Sequence, residues 1–157
     1  MSFKIITISR EFGSGGRFIG EQIAQKCSIE FYDKKIIEHV ANELGISEQI
    51  VANQGEYAPA GSIFSYAFVG RDITGVSLSD QMFNIKQKLI KDIAQKEPCV
   101  IVGRCADYIL SDRDDVLNVF IEGNKPEKAA RIKKLYHKSD DEVKKLLKDV
   151  DKKRSVN

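Results

Sequence analysis

No stretch of this sequence approaches the ~20 consecutive apolar residues that a bilayer-crossing helix requires. The opening Met1-Ser2-Phe3-Lys4 runs directly into a β-branched segment, so neither a membrane span nor a signal peptide is expected. Cysteine is sparse: Cys27, Cys99 and Cys105 stand singly, with no CxxC or Cys/His spacing. Three thiols without a framework fit a reducing, cytoplasmic environment, exclude a disulfide scaffold and give no metal site. Each reads as a small core residue. Internal repeats, low-complexity segments and tight hairpin signals are also missing. What remains is a chain of 157 residues, 42% hydrophobic and 31% charged. That composition is globular, and one domain spanning 1–157 can bury roughly two-thirds of its unfolded surface.

A formal net charge of +2 conceals an asymmetry. Residues 1–124 carry 13 Lys/Arg against 17 Asp/Glu, whereas residues 125–157 carry 12 against 6. A basic C-terminal third suits nucleic acid, a membrane surface or phosphorylated small molecules, or is a solvated helical face.

Lys4-Ile5-Ile6-Thr7-Ile8 reads as a short buried strand, followed by a glycine-rich loop. Helical spacing then predicts a helix over about 17–26 with Ile19, Ile23 and Cys27 on its buried face. A second is predicted from Asp33 as N-cap to Leu44, with Ile36, Ile37, Val40 and Leu44 as its stripe and Gly45 as its stop. A third, shorter helix starts near Ser47. Residues 55–77 are irregular, and a long helix capped by Ser79 or Asp80 ends before Pro98. Residues 99–102 and 116–121 are further strands, and helices are predicted over 125–137 and 140–153, the last capped by Ser139. Buried strands alternating with helices predict an α/β fold: a three-layer parallel sheet flanked by helices, with ligands beyond the C-terminal strand ends.

That rule directs attention to the segment after Ile8. Gly13-Ser14-Gly15-Gly16 lies between a strand and a helix, where successive amides at a helix N-terminus form an anion site suited to a nucleotide phosphate. A tight strand-to-helix turn is the plainer reading. Measured against the P-loop pattern GxxxxGK[ST], Arg10 stands at the first glycine, Gly16 at the lysine and Arg17 at the Ser/Thr. Arg10 or Arg17 is then the candidate for the missing positive charge, because guanidinium pairs well with phosphate.

The run Ile6-Thr7-Ile8-Ser9-Arg10-Glu11-Phe12-Gly13-Ser14-Gly15-Gly16-Arg17, then Phe31-Tyr32-Asp33, then Val100-Ile101-Val102-Gly103-Arg104 resembles the cytidylate kinase-like family, a divergent branch of the P-loop nucleoside monophosphate kinases. The resemblance covers essentially the whole chain and implies a mobile basic lid, here about 125–154. It implies donor-phosphate binding by Arg10, Gly13, Ser14, Gly15, Gly16 and Arg17, and acceptor binding by Asp33, Arg104, Asp151 and Arg154. Catalytic roles fall on Arg17 and on Arg131, which would face the transferring phosphoryl group. Cys105 replaces the acid that helps recognise cytosine, and Val102 stands at the place of a Walker B aspartate. Relative to the family the chain looks shortened at its C-terminus, lacking a strand and helix, and an exposed sheet edge would invite homo-oligomers.

The implied function is ATP-dependent phosphoryl transfer to a (deoxy)cytidylate-type acceptor, with Mg²⁺ arriving through the nucleotide phosphates and residues 55–77 as an acceptor-contacting flap. His39 and His137 would be bystanders. The alternative is a catalytically impaired nucleotide-binding sensor or scaffold of the same fold. A nucleic-acid module finds no RNP-like or helix-turn-helix motif to support it.

Overall fold

The computed structural model describes residues 4–54 and 76–154. Its elements run β1 (Ile5–Arg10), α1 (Gly16–Cys27), β2 (Glu30–Tyr32), α2 (Lys34–Leu44), α3 (Glu48–Gln54), α4 (Leu78–Lys96), β3 (Cys99–Val102), α5 (Ala106–Ile109), β4 (Val116–Ile121), α6 (Lys125–Tyr136) and α7 (Asp140–Arg154). The strands form one parallel sheet in the order β2-β3-β1-β4, with Ile5 opposite both Cys99 and Val116. Helices cover both faces, as short, continuously apolar strands require. Every residue of β3 is fully buried.

Ile5, Ile36, Ile90, Ile101, Ile109 and Leu110 pack on one side of the sheet, whereas Ile8, Ala24, Val100 and Val102 pack on the other. A third cluster, Phe12, Ile132, Val143 and Val150, joins the loop after β1 to α6 and α7. Truncating a fully buried isoleucine such as Ile8 or Ile101 would cost about 2–5 kcal/mol.

Several local expectations are corrected. The face that α1 buries is Gly16, Gly20 and Ala24, while Ile19 is 38% exposed and Cys27 is exposed. A Cβ on Gly20 would stand 3.0 Å from both Ile8 Cδ1 and Val102 Cγ2, so small residues let α1 lie close on the sheet. The cap of α4 is Ser77, not Ser79 or Asp80: its Oγ accepts from Asp80 N at 3.1 Å and donates to Asp80 Oδ2 at 2.7 Å. Cys99 alone of the three cysteines is fully buried; burial first, then nearby Glu97, pushes its thiol up to about 12. Strand β2 and the one-turn α5 were not anticipated, both being too short for periodicity to register. The expected flap falls mostly on residues 55–75, outside the described residues. Among the described residues no helix is long and apolar enough to cross a membrane.

From β1 the chain passes to β2 and β3 on one side of the sheet and then to β4 on the other. The C-terminal ends of β1 and β3 therefore flank the crevice where the winding direction reverses.

Candidate functional site

Where β1 ends, the backbone must turn sharply into α1. Gly13 and Gly15 take φ values of 78° and 89°, a left-handed conformation that glycine adopts without steric cost. Gly15 is the N-cap of α1 and offers no side-chain cap, and the first turn holds no acidic residue. The helix amides thus lack the side-chain acceptor that an ordinary N-cap supplies, and an anion satisfies that need. Ser14 is buried, and its Oγ donates to the Glu11 carbonyl at 2.9 Å, so it closes the turn.

Arg10 is 7% exposed and folds across Gly16, where an added Cβ would lie 2.7 Å from the arginine's own Cβ. Arg17 does not share this position: it is half exposed and its Nε lies 3.3 Å from Asp33 Oδ2. Asp33 occupies the N-cap position of α2 without a side-chain capping bond. Its other oxygen faces Arg104 NH2 at 3.4 Å, so the Asp33 carboxylate pairs with two arginines and leaves the helix end uncapped.

Arg104 belongs to a strained turn. Gly103, Arg104 and Cys105 have successive φ values of 68°, 64° and 56°, left-handed for all three. Non-glycine residues held there cost on the order of 1–3 kcal/mol each, a feature that clusters at functional sites. The Arg104 side chain is 6% exposed, and its Nε has no hydrogen-bond partner among the described residues. It lines a cleft of about 440 Å³ at the strand ends. Arg10, Arg104 and Arg154 supply positive charge to this cleft, while Ile36, Ile37 and Val40 of α2 and Met82 and Phe83 of α4 give it apolar walls. Asp107 also lines it, accepting from Ser9 Oγ at 3.2 Å. A cleft so built offers apolar contact and guanidinium donors side by side.

Helices α6 and α7 sit against the glycine loop. Arg131 NH1 donates to the Gly13 carbonyl, and its guanidinium carbon is 3.3 Å from where a Gly15 Cβ would be. Asp151 is absent from the cleft lining: Oδ1 accepts from Phe12 N at 2.6 Å and Oδ2 accepts from Lys128 Nζ at 3.0 Å. Arg154 bridges both regions. It donates to the Arg10 carbonyl at 2.9 Å, stacks on Phe12 with 5.6 Å to the ring centroid, and lines the cleft. The expected donor and acceptor residues therefore gather around one junction, with Asp151 turned to the loop.

Three contributors escaped the sequence reading. Lys128 is buried between Glu11 and Asp151, Asp107 sits two residues beyond Cys105, and α4 furnishes a cleft wall. Glu11 carried the available signal, since a carboxylate inside a phosphate-type loop needs a cation. Its carboxyl is held below the usual range, first by the Gly123 amide and then by Lys128. His39 lies exposed on α2 with Nε2 3.2 Å from Glu43, and His137 ends α6 in a left-handed conformation. Among the described residues no group of three or more His, Cys, Asp or Glu is placed to hold a metal.

A comparison with curated proteins finds no match. Among solved structures, the chain is similar to the crystal structure of an uncharacterized protein from Eubacterium ventriosum ATCC 27560. The two are 27% identical and superpose with a TM-score of 0.68, over 97% of this chain and 73% of that one. The model of the cytidylate kinase-like family matches residues 5–156, nearly the whole length, and with a parallel sheet, a glycine loop at the end of β1 and an arginine-lined cleft beside it, this chain belongs to the cytidylate kinase-like family.

Proposed function

We propose that this chain, acting as one domain over 1–157, transfers a phosphoryl group from ATP to a (deoxy)cytidylate-type nucleoside monophosphate in the cytoplasm. The observation that carries this reading is the cleft itself: Arg10, Arg104 and Arg154 converge on an apolar-walled space directly beside a glycine loop at a helix N-terminus. The loop amides would receive donor phosphate, with Arg131 lying over Gly15 to cover the transferring group. Arg104, with Asp33 and Arg17 behind it, would hold the acceptor. The donor set fits the nucleotide better than its metal. Fully buried Val102 and Arg17 supply no side-chain oxygen for Mg²⁺, so the ion would be held by the nucleotide phosphates. Positioning and charge neutralisation supply most of such catalysis, and no strong base is required.

The test is an ATP/Mg²⁺ transfer assay over CMP, dCMP, UMP and AMP. Turnover with cytidine nucleotides, lowered about 100-fold in kcat/KM by Arg104→Ala, is expected for loss of a charged hydrogen-bonding partner worth about 1.5–3 kcal/mol. A specific observation favours a second reading, a nucleotide-binding sensor without catalysis: Gly16 and Arg17 occupy the places of the loop lysine and hydroxyl. ATP binding by calorimetry with no turnover on any acceptor would select it.

A further inference from the structure

The proposed transfer makes no use of the one deeply buried lysine of α6. Lys128 is 5% exposed, with Nζ 3.0 Å from Glu11 Oε2 and 3.0 Å from Asp151 Oδ2. Each carboxylate also takes a backbone amide: Gly123 N donates to Glu11 at 3.1 Å, and Phe12 N donates to Asp151 at 2.6 Å. One ammonium thus ties together the end of β4, the loop, α6 and α7. The backbone of Lys128 touches the same loop, its carbonyl lying 3.0 Å from the Cβ position of Gly13.

A buried ammonium is costly unless its protons are satisfied by acceptors. Burial draws the Lys128 pKa down, yet hydrogen bonds to Asp151 and Glu11 outweigh it, so the pKa stands above its ordinary value and the group stays charged. Without that charge, Glu11 and Asp151, each only about a third exposed, would leave two uncompensated negative groups beside the loop amides. They would also lose the common partner that fixes where Phe12 N and Gly123 N are held.

We propose that Lys128 is a positioning residue for the donor-phosphate loop, acting through Glu11 and Asp151 without touching the nucleotide. This role rests on the loop being the donor site, so the experiment measures ATP and CMP affinities separately, by calorimetry on the full chain. Lys128→Met is expected to weaken ATP binding tenfold or more while CMP binding stays within twofold, a split that general loosening of the fold would not give. Adding Glu11→Gln and Asp151→Asn to Lys128→Met removes the stranded charges and keeps carbonyl acceptors for both amides. Recovery of at least half the lost ATP affinity on the logarithmic scale is expected, and no recovery would overturn action through the carboxylates. If Lys128→Met does not fold, Glu11→Gln carries the test, with a threefold or greater loss for ATP alone expected and unchanged ATP affinity overturning the role. Wild-type chain that binds no ATP would overturn the donor-site reading together with this role. Wild-type binding matched by Lys128→Met would overturn the role alone.

Discussion

At the scale of single residues, position 16 decides how this loop differs from an ordinary P-loop. The pattern wants a lysine there, yet a Cβ on Gly16 would stand 2.7 Å from Arg10 Cβ and 2.8 Å from its Cγ. Arg10 has no room to retreat, because it is buried and its carbonyl is bound by Arg154. Restoring the lysine should therefore fail. Gly16→Lys is expected to lower stability by about 1–3 kcal/mol, the range for forcing extra atoms into a packed site. It should give no gain in ATP affinity, as read by melting and calorimetry; tighter binding would show that Arg10 yields. The five arginines, 10, 17, 104, 131 and 154, could be named from sequence because their residue type and motif position are visible there. Their partners could not: that Arg17 faces Asp33, and that Asp151 faces Lys128, depends on where separate helices land. Lys128 itself looked like any other lysine of a basic segment.

At the scale of elements, the start of α7 was legible in the sequence, whereas the cap of α4 and the buried face of α1 were not. Ser139-Asp140-Asp141-Glu142 has the spacing of a reciprocal cap, and α7 uses it so: Glu142 N donates to Ser139 Oγ at 3.5 Å, while Ser139 N and Oγ both donate to Glu142 Oε2, at 2.9 and 2.8 Å. Those bonds, led by the Ser139 amide, pull the Glu142 carboxyl down from 4.5 to about 2. A depressed carboxylate stabilises the folded state above its unfolded value, and that contribution is lost as pH falls from about 4.5 toward 2. Thermal melts across this window should show wild type losing more stability than Glu142→Gln, which has no carboxyl to titrate and starts lower; parallel curves would deny the cap its role. The buried face of α1 misled for the opposite reason. Hydrophobic periodicity marks large residues, whereas α1 meets the sheet through Gly20 and Ala24 and leaves Phe18 65% exposed. Strand β2 has three residues, and its pairing with β3 gives it order that no local pattern announces.

At the scale of the molecule, fold class was legible because parallel strands must be apolar on both faces, while strand order was not, since pairing lies outside local pattern. The basic C-terminal third looks different once folded. Lys128, Lys133 and Lys138 each pair with a carboxylate of the loop or of α7, so these lysines are engaged within the fold, although of their partners only Glu11 lies outside the basic third. This separates a nucleotide site from a nucleic-acid surface in a single measurement. A ligand at 100 times its Kd stabilises by about 2.7 kcal/mol, and about 2–4 °C of melting shift per kcal/mol is usual at this size. ATP and CMP, each at saturation, are expected to raise the melting temperature by about 5–10 °C. Together they should raise it further than either alone, because loop and cleft are adjacent but separate. A 20-mer of single-stranded DNA at 0.15 M salt is expected to raise it by less than about 1 °C, since the chain's formal net charge is only +2 and it carries no RNP-like or helix-turn-helix motif. Stabilisation by DNA with no response to either nucleotide would reassign the basic face and remove the reason for placing a phosphate on the glycine loop.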